Sequence, residues 1–366
     1  MPLNLVVQTA FLGDLLLSIP LLKRCKELWP DHKLALVCRK GMGDFFIKTG
    51  VVDQVFEIQK GNKDTYKKIL EQLKTQEVDY LISPHQSMRT TLFCRQIKAK
   101  HKIGYKNFWS WLAFDSKIER DSQLPDSLRQ ISLLKDVDPR LKEQLADYKN
   151  KETPYRPDKH GHLSAPPKWG SMSLRKTVLN DELFQALKTK YQLHGFEDSK
   201  AVLIFPGSVW ATKRWTTDGF IKVGQSLQQQ GYQVYVMGGP GEEALAEQVA
   251  EEIAGSVSLA GKTQIFESAQ LIGRAALLVG NDSASTHLAS VCETPLIAVF
   301  GPTILEFGYR PWSAETYIVQ NSELACRPCG KHGHKVCPIK THVCMKSVSP
   351  DEVLKTAGFI LRPSNP

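Results

Sequence analysis

"LNLVVQTAFLGDLLLSIPLLKRCKELWP", residues 3–30, decides the fold. Leu3–Val7 are almost wholly apolar and short, which reads as a buried strand. From about Leu15 the pattern turns helical, with Pro20 near the start of the helix, where proline is tolerated. Between strand and helix stands Asp14, a lone acid behind Gly13 in an otherwise apolar run. A helix cap explains an acid there; so does a catalytic base at a strand's carboxyl end.

The same strand-then-helix unit recurs outward. "KLALVC" (33–38) and "DQVFEI" (53–58) read as strands, "TYKKILEQLKTQ" (65–76) as an amphipathic helix and "VDYLISP" (78–84) as another strand. From about 136 to 175 the rhythm fails. "YRPDKHGHLSAPPKWGSMS" (155–173), rich in Pro, Gly and Ser, reads as a connection. Near 201 the rhythm resumes. "AVLIFPG", "YQVYVMGG", "ALLVGND" and "PLIAVFGPT" read as strands, separated by "TTDGFIKVGQSLQQQ", "GEEALAEQVAEEI", "TQIFESAQLIGRA" and "SASTHLASVC" as helices. Such alternation predicts an α/β protein of two doubly wound parallel domains in tandem. Ligands of such sheets bind beyond the carboxyl ends of the strands, so the residues after each strand carry the functional information.

A chain of 366 residues suits two domains, and no apolar run approaches the length of a membrane span. The first apolar stretch has no basic residues before it and is broken by Asp14, which argues against a signal peptide and for a cytoplasmic address. The net charge of +9 points to an anionic partner: a nucleotide, a phosphorylated lipid, a membrane surface or a nucleic acid. "KAKHKIGYKNFWSWL" concentrates the charge, with Lys98, Lys100, Lys102 and Lys106 just before Phe108, Trp109 and Trp111. Bases beside exposed aromatics suit a membrane interface, whereas a solvated loop would turn the rings inward.

After "AVLIF", the run "PGSVWATKRWTTDGF" brings Ser208, Lys213 and Arg214 to the start of a helix capped by Thr216 or Thr217. A helix N-terminus with a cation beside it suits a phosphate. After "LLVG", "NDSASTHLAS" supplies Asn281, Asp282 and Ser283 as capping types, with His287 one turn on. "SVSLAGKTQIF" imitates a P-loop ending, but five residues separate Gly255 from Gly261 where that motif has four. No dinucleotide fingerprint follows a strand. Cys326, Cys329, Cys337 and Cys344 form C-x2-C-x7-C-x6-C with His332, His334 and His342 among them. Metal, reduced thiols and a disulfide pair all remain open on this spacing. The segment follows the last strand read here, so it is expected to be structural and remote from the cleft.

Together "LGDLLLSIPLLKRCKELWP", "PGSVWATKRWTTDGF" and "VGNDSASTHLASVCETPLIAVFGPT" resemble the bacterial ADP-heptose:lipopolysaccharide heptosyltransferases, glycosyltransferase family 9. "VDYLISPHQSMRT" followed by "KIGY" looks like that family's first domain, and "CRPC…C…CMKSVSPDEV" like its heptosyltransferase II branch. The resemblance implies a GT-B fold: Rossmann-like domains over 1–178 (acceptor) and 179–345 (nucleotide sugar), with a helix in 346–366 returning to the first. It implies inverting transfer of heptose from ADP-heptose to an anionic lipopolysaccharide-core acceptor at the cytoplasmic face of the inner membrane. Asp14 would be the base. Lys213, with Arg214 nearby, would stabilise the departing diphosphate. Ser208, Ser283, Ala284 and His287 would contact phosphate, Asp282 the sugar or its own loop, and Thr263 the adenine. No cofactor, catalytic metal or nucleic acid is expected. Ala284 departs from the family, which usually has glycine there, and its methyl would matter if the position needed positive φ. Two other classes fit parts of the sequence: a nucleotide hydrolase, or another nucleotide-sugar transferase of the same fold, and less well a metal-stapled nucleic-acid binder.

Overall fold

The computed structural model describes residues 1–151 and 155–362. The chain forms two compact units: Met1–Glu152 with Pro167–Met172, and Thr153–Pro166 with Ser173–Pro366. The expected boundary at 178/179 is therefore replaced by a double crossing. The reason is local: Leu163 N–H donates to Thr316 O (2.9 Å), and Ile318 N–H donates to Gly161 O (2.8 Å), so 161–163 line the edge of the second unit's sheet.

The first unit holds six parallel strands: β1 (Leu3–Val7), β2 (Lys33–Arg39), β3 (Gln54–Ile58), β4 (Val78–Ser83), β5 (His101–Tyr105) and β6 (Ser116–Ile118), in the order β3-β2-β1-β4-β5-β6. The second holds β7 (Ala201–Phe205), β8 (Gln233–Val236), β9 (Val257–Ser258), β10 (Leu277–Asn281), β11 (Leu296–Phe300) and β12 (Thr316–Gln320), in the order β12-β11-β10-β7-β8-β9. Read from its own first strand, each sheet has the same 3-2-1-4-5-6 order, that of the doubly wound nucleotide-binding fold. The central strands are covered on both faces, which is why they read as unbroken apolar runs: Leu5, Val6 and Val7, like Val202, Leu203 and Ile204, are fully buried. Both sheets are right for the α/β expectation. The outer strands β5, β6 and β12, and the helix Pro139–Lys151 inside the supposed break in rhythm, were not foreseen.

Two elements differ from expectation. After β1 the chain makes a short helix, Leu12–Leu16, and then a second, Ile19–Leu28, with Pro20 in its first turn. Asp14 is thus the third residue of a helix rather than part of an open loop. The closing helix, Pro350–Ile360, belongs to the second unit and not to the first. Its Val353 and Ala357 are fully buried in the second unit's core, beside Trp215, Phe220, Tyr317 and Val319. Ser349 caps this helix, its hydroxyl accepting from Glu352 N–H at 3.2 Å.

That packing predicts a contrast on one helix. Val353→Ala removes apolar bulk from a fully buried site and should cost about 1.5–3 kcal/mol. Lys355→Ala, on the exposed side of the same helix, should stay within about 0.5 kcal/mol. Denaturant unfolding of both variants checks the difference.

Candidate functional site

Each sheet reverses its strand order once, between β1 and β4 in the first unit and between β7 and β10 in the second. At such a point the connections leave in opposite directions and open a crevice at the carboxyl ends. Each unit therefore carries its own candidate site, and the predicted residues fall on both.

In the first unit Asp14 follows β1. Its Oδ2 accepts from Phe11 N–H (3.3 Å), closing the first helical turn, so the capping role exists. Its own carbonyl accepts from the Ser18 hydroxyl and from Gln130 Nε2, both at 3.1 Å. Gln130 Nε2 also donates to Asp126 Oδ2 (2.7 Å), which brings a second carboxylate near. Burial first, then the charge of Asp126, pushes the Asp14 carboxyl up to about 6, against the pull of the Phe11 N–H and the Arg39 charge. A half-buried carboxyl titrating near neutrality suits general-base work better than a plain cap does.

Around it stand residues the sequence analysis did not single out. Arg39 ends β2, donates from Nε to Thr9 O (2.8 Å), and lies 4.3 Å over the Phe11 ring. Lys60 follows β3, and His85 and Arg89 follow β4. His85 Nδ1 lies 2.7 Å from Thr9 Oγ1 and 2.9 Å from Thr90 Oγ1. Burial, then the charges of Lys60 and Arg39, hold its ring down to about 4, so it is neutral at physiological pH. Burial and the neighbouring Arg39 and Arg89 likewise lower Lys60. Three strand ends, those of β2, β3 and β4, thus bring the cations Arg39, Lys60 and Arg89 to one edge of the sheet, an arrangement suited to an anionic ligand. The usable signal was the strand-end rule, applied to β2, β3 and β4 as it was to β1.

In the second unit Lys213 follows β7, in a 3-10 turn spanning Ala211–Lys213. Its ammonium donates to Asp282 Oδ2 at 2.5 Å, and the same oxygen accepts from Thr303 Oγ1 at 2.8 Å. Asp282 follows β10 and Thr303 follows β11, so three strand ends meet on one carboxylate. Fully buried Asn281 fixes the loop that carries Lys213. Its Nδ2 donates to Pro206 O (2.9 Å) and Gly207 O (3.2 Å), and its Oδ1 accepts from Trp215 N–H (2.8 Å). Asn281 read as a capping type is thus a tie between strands. Arg214 Nε donates to Ser208 O (2.9 Å), which keeps those two together. Thr216 is the cap of the following helix, accepting from Gly219 N–H at 3.1 Å.

Ser283 precedes the helix Ala284–Cys292, whose first turns contain Ala284 and buried His287. Ala284 is not among the described residues with left-handed φ. The missing glycine therefore puts no strain on the backbone. Thr263 stands apart, beyond β9, its hydroxyl 2.7 Å from Ser268 Oγ. Lys262 Nζ turns back to Ser258 O (2.9 Å), so the imitation P-loop forms no phosphate cradle. Glu242, also unforeseen, accepts from Gly239 N–H (2.9 Å) at the end of β8. It presses on Gly207 so closely that a Cβ there would lie 2.2 Å from its Cδ. A side chain at 207 would force that carboxylate to move.

The cysteine segment is not remote from these strand ends. Cys329 N–H donates to Pro302 O (3.0 Å) and Arg327 Nη2 donates to Thr303 O (2.8 Å). All eight cysteines are free thiols, and among the described residues no group of three or more His, Cys, Asp or Glu is placed to hold a metal ion.

The profile of glycosyltransferase family 9 (heptosyltransferase) matches residues 66–340. Lipopolysaccharide heptosyltransferase 3 of Escherichia coli K12 is 26% identical over 317 residues, 82% of this chain and 83% of that protein. Lipooligosaccharide heptosyltransferase 2 of Campylobacter jejuni is 32% identical over 201 residues, 53% of this chain and 61% of that protein. Among solved structures, the E. coli ADP-heptose LPS heptosyltransferase II is similar with a TM-score of 0.75 at 17% identity, covering 99% of this chain and 98% of that one. The two-sheet architecture is that of the GT-B heptosyltransferases, and the chain belongs to glycosyltransferase family 9.

Proposed function

We propose that this chain transfers a heptose from ADP-heptose to a sugar of the lipopolysaccharide inner core, inverting the anomeric carbon. The observation that carries the reading is Asp14, a half-buried carboxyl held near neutrality at the reversal point of the first sheet. Relatives named heptosyltransferases 2 and 3 support the sugar and the acceptor. The first unit takes the acceptor and the second the donor.

The acceptor hydroxyl oxygen attacks the anomeric carbon as the bond from that carbon to the β-phosphate oxygen breaks. The hydroxyl proton passes to Asp14, and ADP leaves with the bonding pair. Lys213 meets the growing negative charge on the diphosphate, with Arg214, Ser208 and the Ser283–Ala284 helix start adding donors. Charge-assisted contacts of this kind contribute most where charge develops. Asp282 holds Lys213 in place and faces the sugar, His287 lies near the phosphates, and Thr263 near adenine. Arg39, Lys60 and Arg89 attract the acceptor's acidic groups.

The acceptor is amphiphilic, which places the enzyme against the cytoplasmic face of the inner membrane. Among the described residues no helix is long and apolar enough to cross a membrane. Three of the four lysines first suspected of surface binding are engaged within the unit, and Lys98 is exposed. Lys106 pairs with Glu119, Lys100 with Glu77 and Asp79, and Lys102 Nζ donates to the carbonyls of Cys94 and Arg95. The aromatics carry the contact instead: Phe108 is 89% and Trp111 71% exposed, with Met88 and Leu92 exposed on the adjoining helix Met88–Gln96.

Three sets of variants and one ligand panel check this reading. Asp14→Asn keeps an acceptor for Phe11 N–H but cannot take a proton, so turnover should fall at least about a hundredfold. Stability should hold: a carboxyl raised above its unfolded pKa favours the fold most when protonated, and that contribution is lost as pH rises through about 6. In the native enzyme kcat/KM should therefore fall below about pH 6, a limb absent from the Asn variant; near-normal Asn turnover reduces Asp14 to a cap.

Lys213→Gln should lower turnover by roughly 10- to 150-fold, the loss of a charge-assisted contact worth about 1.5–3 kcal/mol. Unchanged turnover and unchanged ADP affinity would return Lys213 to a purely structural pair with Asp282.

Phe108→Ser with Trp111→Ser should weaken sedimentation with anionic liposomes and raise KM for a lipid-borne acceptor. KM for a deacylated acceptor should not move. A panel of nucleotide sugars, compared by the rise each gives in Tm, tests the donor.

A further inference from the structure

The segment 326–344 is hydrogen-bonded to Thr212 of the Lys213 loop through four bonds. Thr212 is 5% exposed, and every polar group it has is engaged by that segment. Its N–H donates to His334 O (3.1 Å), and its hydroxyl lies 2.9 Å from the same carbonyl. The hydroxyl oxygen accepts from His334 N–H at 2.7 Å. Its carbonyl lies 2.8 Å from His342 Nε2, a ring nitrogen that donates when protonated there. Local turns explain none of these bonds, since the partners are more than a hundred residues apart.

The neighbours extend the contact. Gly333, in the left-handed region at φ +84°, lies against the stem of Lys213 itself: a Cβ there would stand 3.2 Å from Lys213 Cγ and 3.4 Å from Trp210 Cβ. Residues 332–334 therefore cover residues 210–213. The other end of the segment reaches the partner of Lys213, through Arg327 to Thr303 O and through Thr303 Oγ1 to Asp282 Oδ2. One segment thus holds both the cation and the carboxylate of the pair.

We propose that residues 326–344 are a brace that sets the position of Lys213, with Thr212, His334 and His342 as positioning residues. The proposal rests on the reading of Lys213 as the lysine that handles the donor's diphosphate. The physical argument is one of reach. A lysine has a long flexible stem and loses rotamer freedom when fixed. Fixing its backbone and covering its stem leaves only the ammonium to settle, so it meets the phosphate without reorganising. A small error in a lysine's placement is enough to lose that benefit.

The test uses the full chain, ADP as the titrated ligand, and turnover with donor and acceptor. Thr212→Val keeps the shape and removes the hydroxyl; Thr212→Ser restores it. His342→Ala removes the ring donor; His342→Gln restores an N–H. The Val and Ala variants should lower kcat at least tenfold and weaken ADP binding, with KM for the acceptor within twofold, and the Ser and Gln variants should recover most of the loss. Each is then combined with Lys213→Gln. If the brace acts through Lys213, the second substitution adds nothing to the first. Fully additive losses overturn the proposal, as does a lower Tm with unchanged kcat and ADP affinity. A normal Lys213→Gln enzyme defeats the reading of Lys213 instead, and the single variant shows that before any cycle is closed.

Discussion

Both sheets of this chain reverse their strand order once, beside their first strand. That constraint aims the ends of β1 and β4, and of β7 and β10, at a common crevice in each unit. The residues able to do chemistry are then confined to a few positions after those strands. Asp14, His85, Lys213 and Asp282 occupy them because the connections leave no other route out of the sheet.

The second unit shows what holding such a site requires. Lys213 and Asp282 are both largely buried, their side chains 12% and 5% exposed. A buried ion pair is worth little unless its remaining hydrogen-bonding capacity is met. Here Thr303 meets the carboxylate, and Asn281 ties the loops before and after the lysine to β10. Removing one partner leaves the other charge stranded, which is costlier than the pair is favourable. The loop is therefore over-determined, by a buried amide on one side and a distant segment of chain on the other.

Much of this was legible in the sequence because it is local. The runs at Leu3–Val7, Ala201–Phe205 and Leu277–Asn281 announced central strands, and the family-like motifs announced Asp14, Lys213 and Asp282. The outer strands were hidden by their shortness, as in Ser116–Ile118, or by polar residues, as in His101–Tyr105. What failed was whatever depends on pairing across long separations. Asn281 reads as a cap until its amide is seen on Pro206 and Gly207. The cysteine segment reads as a remote staple until His334 and His342 are seen on Thr212. The closing helix was assigned to the wrong unit because its apolar face, Val353 and Ala357, says that it docks and not where.

Ala284 has a consequence for the chain before it folds. It opens the helix Ala284–Cys292, a position whose backbone an alanine adopts without strain. Glycine at the same place would leave the unfolded chain with more conformations to lose. Where the native backbone suits both residues, alanine for glycine stabilises by about 0.4–1 kcal/mol, mainly through that difference in chain entropy. The residue that breaks the family pattern thus narrows the disordered ensemble from which the helix start must be drawn.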